Sequence, residues 1–271
     1  IINSGDEEAV LIAQNGLYNA YVLEKRYHDA IIMLDDMLLD NPGNAELLLK
    51  KSDLYYKEGR YDYALSIYEQ VLGAASQQDR DRLIAGYNEM ILPRVKQLRA
   101  DYRLTEARDL SDRWLTIDQD NQDALLYMIN ICFQMKDDAA MLRYAQIAEK
   151  RFGDDVSFKI KLAEAMNHNP EKRAESWAML HNQVQLNPFH EPLVNTFSFT
   201  TEEYAGELLK AKDHANALGI IDTALQYKEN NKALKYMKGL AYEGLKNYDS
   251  AYYYQRFYEP TLLEFDDFKS H

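Results

Sequence analysis

A chain of 271 residues with 31 Lys and Arg against 44 Asp and Glu carries a formal charge of −13. That field repels duplex nucleic acid and anionic lipid surfaces and argues against either as a partner. Its one cysteine, Cys132, excludes an intramolecular disulfide and a cysteine-based metal cluster. A 46% hydrophobic composition with 11 Gly and 6 Pro favours an ordered, helix-rich chain, and no apolar run reaches the roughly 18 residues a spanning helix needs.

In chain order, Tyr18-Asn19-Ala20-Tyr21 leads through Lys25-Arg26-Tyr27 to Ala30, and Pro42-Gly43-Asn44 closes this first unit. The stretch Ala45 to Ser76 follows and is the best formed. Apolar and aromatic side chains recur at helical spacing on both sides of a Lys57-Glu58-Gly59-Arg60 break, which predicts a helix–turn–helix hairpin. Gly59 stands where the first helix must stop, because glycine enters the left-handed conformation without steric cost. Tyr61 is expected to fill the mouth of the hairpin, and Ala64 is small where the two helices cross. The offsets of Ser52, Tyr55, Gly59, Tyr61, Ala64 and Tyr68 resemble the tetratricopeptide repeat (TPR). One hairpin cannot bury its own apolar face, so the unit must recur.

It does recur. Ala30 lies 34 residues before Ala64, and Ala217 lies 34 before Ala251, with Gly239-Leu240-Ala241-Tyr242 and Asn247-Tyr248 repeating the pattern near the C-terminus. Between them Ala107, Ala140 and Ala174 follow the same rhythm without a turn glycine. The period is broken twice by an equal insertion. The first, near 73–82, predicts a longer loop or an extended first helix, with a kink at Pro93. The second, 186–199, contains Pro188, Pro192, Phe197 and Phe199 and predicts an irregular segment, with Thr200 or Thr201 capping the next helix.

The expected fold is therefore all-α: a right-handed α-solenoid of about seven TPR-like hairpins plus a C-terminal capping helix. Residues 1–185 would hold units one to five, and 200–271 units six and seven with the cap over Thr261 to Phe268. Tyr18 is bulkier than its counterparts Ser52 and Gly239, which marks unit one as the expected start of the array.

No phosphate loop, dinucleotide fingerprint or nucleophile elbow occurs. The six histidines have no metal-site spacing beyond the loose pair His190-Glu191. His28 and His214 are expected at solvent-facing turns, and Cys132 is expected to be buried. No catalytic residue, metal or cofactor is assigned.

What the TPR resemblance implies is a non-catalytic scaffold that binds a protein or peptide on its concave face. Carrying the family's groove positions over gives Asn15 and Asn19 in unit one, Asp53 and Tyr56 in unit two, and Lys96 and Arg99 in unit three. The family's clamp for a peptide carboxylate is not matched: Asn15 replaces its first Lys, Lys50 an Asn, and Glu89 and Pro93 the last two residues. Only Asn19 agrees. The Tyr-rich, acidic array also resembles periplasmic TPR portions of outer-membrane β-barrel and polysaccharide-export proteins, which implies a periplasmic or outer-membrane-associated location, a removed signal peptide and a barrel downstream; a cytoplasmic location is the alternative. A site in the 186–199 insertion is the remaining, enzymatic alternative.

Overall fold

The structure, a computed structural model, describes residues 4–256. Among them are fourteen α-helices and no strand. They pair into seven hairpins: α1 (Ser4–Leu23) with α2 (Tyr27–Asp40), α3 (Ala45–Lys57) with α4 (Tyr61–Ala74), and α5 (Gln77–Ala100) with α6 (Leu104–Ile117). Then come α7 (Gln122–Gln134) with α8 (Asp138–Phe152), α9 (Val156–Asn167) with α10 (Arg173–Leu186), α11 (Glu191–Lys210) with α12 (His214–Leu225), and α13 (Lys232–Gly244) with α14 (Tyr248–Gln255). The all-α repeat solenoid of seven hairpins is thus the fold. The expected capping helix lies outside the described residues.

Two compact units divide between residues 124 and 125. In the first, Ala30, Ile31, Leu34, Leu38, Leu47 and Leu54 form a core that Tyr18, Tyr21, Tyr27 and Tyr55 cover. In the second, one core runs from Ile160 to Ala241 through α9 to α13, and first helices touch one another directly, α9 against α11 and α11 against α13. The crossing alanines Ala30, Ala64, Ala107, Ala140, Ala217 and Ala251 are all buried. At the α3–α4 crossing the Ser52 hydroxyl donates to the Ala64 carbonyl at 2.7 Å, which satisfies a polar group that would otherwise be stranded there.

The turns between paired helices share one geometry. Lys25, Gly59, Tyr102, Lys136, Lys212 and Lys246 all have φ between 58° and 78°, in the left-handed region. Around Gly59 the Gly59 N–H reaches the Tyr56 carbonyl and the Arg60 N–H reaches the Tyr55 carbonyl, and the same pair of bonds recurs at the other five. This Schellman geometry satisfies the carbonyls left open at a helix C-terminus. Five of the six positions hold a residue with a Cβ and bear the left-handed penalty. At Tyr102 the side chain is 75% exposed and contributes little packing. Tyr102→Gly is therefore expected to stabilise the first unit by about 0.5–1 kcal/mol, and Gly59→Ala to destabilise it by about 1 kcal/mol, read as opposite shifts of the urea midpoint.

The fifth hairpin departs from this pattern. Its helices are joined through a 3-10 turn, Pro170–Lys172, with no left-handed residue among those described. The longer connection displaces the crossing by two residues. Ala174 is exposed, and buried Ser176 takes its place, its hydroxyl donating to the Ala163 carbonyl at 3.0 Å. Ala174 is accordingly not the crossing residue that its spacing predicts.

Both insertions are helical. The first lengthens α5 to 24 residues, and the helix continues through Pro93, whose ring costs it one backbone bond. The second lengthens α11 to 20 residues, so 191–199 is helical and only 187–190 lies outside a helix, and α10 packs directly on α11. Pro192 sits in the first turn, where a missing N–H costs nothing, and Pro188 lies in the short connection before it. His190 caps the helix, its Nδ1 accepting the Leu193 N–H at 3.2 Å. Thr200 and Thr201 are buried mid-helix residues and not caps. His214 also departs from expectation: it is partly covered and packs flat on Gly244, where a Cβ would lie 2.3 Å from the ring. Cys132 is buried, as expected. Val95 and Met128, large and buried in interior hairpins, occupy the register of Tyr18, so a bulky residue there does not distinguish an outermost unit.

Candidate functional site

On the first helices of the first compact unit, the residues that sequence singled out fall into separate small groups. Lys50 lies over the Tyr18 ring at 5.7 Å, and Asp53 and Lys57 complete the charges around the Tyr18 hydroxyl. Burial raises that hydroxyl's pKa, with Lys50 opposing the shift. Glu46–Lys50 and Asp53–Lys57 pair along α3 at 2.7 and 2.5 Å. Exposed pairs of this spacing contribute a few tenths of a kcal/mol each, which makes this a solvated face with little built electrostatic bias.

Tyr56 meets Tyr61 edge-on at 5.0 Å, and the Arg94 guanidinium lies 4.2 Å from the Tyr61 ring. Tyr61 thus fills the hairpin mouth. Asn15 and Asn19 lie on α1, the first half-covered and the second exposed, and Lys96 and Arg99 lie on α5 in contact with neighbouring groups. A cleft of about 350 Å³ between α4, α5 and α6 balances Arg60, Arg94 and Arg113 against Asp62, Glu106 and Asp109.

The second unit holds a site that sequence did not find. Three successive first helices, α7, α9 and α11, line a cleft of about 610 Å³, within the usual size range of ligand sites. Asn130 and Phe133 come from α7, Lys161, Glu164 and Asn167 from α9 with His168 just after it, and Asn195, Thr196, Phe199 and Thr200 from α11. Phe133 is 50% exposed and Phe199 57%, so two phenyl rings leave about half their surface open on the same cleft.

The polar lining is unevenly satisfied. Lys161 donates to Glu164 at 2.7 Å, and His168 Nδ1 lies 3.3 Å from Asp138. Lys228 Nζ donates to Asn195 Oδ1 at 2.7 Å. By contrast Asn167 Oδ1 and Thr200 Oγ1 are buried with no hydrogen-bond partner. Each such orphan costs about 1–3 kcal/mol, a cost that a ligand able to reach it would remove.

Beside this site, Glu202 on α11 accepts from Asn231 Nδ2 at 2.6 Å, and Asn231 Oδ1 in turn caps α13. Burial holds the Glu202 carboxyl above its ordinary value of 4.5, against the Asn231 bond and Lys228, which lower it. A raised folded-state value means that stability present below pH 4.5 is lost as pH rises through the folded value. Glu202→Gln keeps the acceptor and removes the charge. It is expected to match the parent at pH 4 and to exceed it in stability at pH 7, measured by urea unfolding at both.

The sequence of 21–85 matches the tetratricopeptide repeat family. Residues 21–85 are a tetratricopeptide-repeat segment. Among solved structures the TPR fold recurs in Naa15/Naa10 bound to HypK-THB, with 14% identity, a TM-score of 0.55, and coverage of 90% of this chain and 36% of that one. The chain thus spans about a third of that protein. YrrB, a TPR protein with an unusual peptide-binding site, aligns at 13% identity and a TM-score of 0.44 over 74% of this chain and 95% of that one. A TPR protein from Parabacteroides merdae ATCC 43184 aligns at 13% identity and 0.39 over 93% and 95%. No curated protein matches the sequence.

Proposed function

We propose that the chain is a non-catalytic TPR scaffold that binds an extended segment of a partner protein on the concave face formed by its first helices. The observation that carries this reading is the α7–α9–α11 cleft, where two exposed phenyl rings flank polar side chains that lack partners. Rings of this kind supply affinity when they are desolvated, and amide side chains match the donor and acceptor pattern of an extended backbone. Naa15/Naa10, which shares the fold, is seen with HypK-THB bound, so partner assembly on such a scaffold has a precedent. In the first unit the ligand-facing positions are proposed to include Asn15, Asn19, Asp53, Tyr56, Lys96 and Arg99. Nothing in the fold favours a neighbouring outer-membrane β-barrel, and that expectation rests on the sequence alone.

The test is to pan a random peptide library on the full chain and photo-crosslink the recovered peptides through a benzophenone placed at Phe133 or Phe199, or at half-buried Thr223 on α12 as a second-helix control. Crosslinks confined to Phe133 and Phe199 support the proposal. Crosslinks at Thr223 with none at the cleft overturn it.

A further inference from the structure

We infer that the α7–α9–α11 cleft selects an uncharged extended peptide anchored by one aromatic side chain, which inserts between Phe133 and Phe199 while its N–H groups reach Asn167 and Thr200. This rests on the proposal that the cleft takes a peptide, and adds the chemistry of what it takes.

Three features define that chemistry. The first is charge. The charged side chains that line the cleft are matched internally, Lys161 to Glu164, and His168 Nδ1 lies 3.3 Å from Asp138. A carboxylate entering the cleft meets Glu164 and a basic group meets Lys161, so neither sign gains over a neutral segment. The matched charges also contrast with the chain's overall −13, which would favour a basic ligand on an unstructured surface.

The second feature is the apolar flank. Phe133 and Phe199 stand on α7 and α11, on opposite sides of α9, and both keep about half their surface open. The Phe133 ring is fixed edge-on to His168 at 5.5 Å. A ring already held by a neighbour loses little freedom when a ligand side chain packs on it, and aromatic pairs gain beyond their buried area. An aromatic anchor therefore suits this gap better than a small side chain.

The third feature is the direction of the missing hydrogen bonds. Asn167 Oδ1 only accepts, and Thr200 Oγ1 accepts as well as donates. Both residues are more than nine-tenths buried, at 6% and 1% exposure, and both line the cleft. The complementary groups are N–H donors, which an extended backbone or a side-chain amide provides without charge.

The experiment uses the full chain and four fluorescein-labelled, terminally blocked heptapeptides: Ser-Asn-Gly-Phe-Asn-Gly-Ser, the same with Ala for Phe, and versions with the outer serines changed to Asp or to Lys. Fluorescence anisotropy is expected to give the Phe peptide at least about tenfold tighter binding than the Ala peptide, with neither charged version tighter than the neutral parent. Phe199→Ala, at an exposed position, is expected to weaken the Phe peptide about tenfold, and the near-isosteric Thr200→Val about fivefold. The inference is overturned if the Asp or Lys peptide binds about tenfold tighter than the parent, if Ala replaces Phe without loss, if Phe199→Ala has no effect, or if the parent does not bind at millimolar concentration. Panned peptides that crosslink at Phe133 and Phe199 yet prove highly charged would overturn this inference alone. An absence of crosslinks there would remove both readings.

Discussion

Phe197→Ala is expected to cost about 3–5 kcal/mol of the second unit's stability. The ring is fully buried on α11 and is the centre of an aromatic cluster: Trp177 at 5.6 Å, His181 stacked at 5.8 Å and 11°, and Tyr227 edge-on at 5.9 Å. Those partners come from α10 and from the segment after α12, so one truncation loosens three elements. The Phe197 carbonyl is also an anchor, accepting from Thr201 Oγ1 at 2.7 Å while that oxygen accepts from Trp177 Nε1 at 3.0 Å. The side chains around Phe197 are held by these bonds and cannot collapse freely into the space left behind, which places the cost toward the upper end. Urea unfolding followed by Trp177 fluorescence in a Trp114→Phe background reads the second unit alone, because the chain has only two tryptophans. An unchanged midpoint would show that the cluster contributes no net packing.

The second large effect is expected at Trp114, the largest fully buried side chain of the first unit. Trp114→Ala should cost about 3–5 kcal/mol. Trp114→Phe is more informative. Trp114 Nε1 donates to Asn88 Oδ1 at 2.6 Å, Asn88 Nδ2 donates to Asp118 Oδ2 at 2.8 Å, and Asn121 Nδ2 donates to the same oxygen at 3.0 Å. Asn121 Oδ1 then accepts the Ala124 N–H at the start of α7. Phenylalanine keeps most of the apolar volume but leaves the Asn88 oxygen without its donor, at about 1–3 kcal/mol. The relay implies that amide exchange at Ala124 rises in Trp114→Phe. If only global stability falls and Ala124 is unaffected, the relay carries no positional order.

The crossing alanines were legible because only a small side chain stands where two helices meet, so the constraint is written at a single position. The turns were legible only at Gly59. The other five use the same left-handed residue with Lys or Tyr, and a side chain that tolerates a strained conformation carries no distinctive mark. In the fifth hairpin, spacing led to Ala174 because a two-residue change in connection length leaves an alanine near the expected place by chance. Pro188 and Pro192 pointed to irregular chain because a proline's effect depends on its distance from the helix start, and that start was set by His190, a capping residue without a strong signature. The cleft in the second unit was not legible at all. Its lining comes from α7, α9 and α11 with Met141 of α8, spread over some seventy residues, and its defining properties, the openness of Phe133 and Phe199 and the missing partners of Asn167 and Thr200, belong to the assembled structure.

The early start of α11 bears on how such a surface is acquired. Counted back from Lys210, a first helix of the 13 residues seen in α3, α7 and α13 would begin at Ser198, and Asn195 and Thr196 would not stand on it. The added turns, about 1.5 Å per residue, extend one wall of the cleft while Ala205 and Ala217 keep the repeat frame in step. Architecture and recognition are thereby written in different residues of the same helix. The wall can be lengthened or shortened without moving the alanines that hold the stack, and departures from the repeat period are the places to look for what distinguishes one such chain from another.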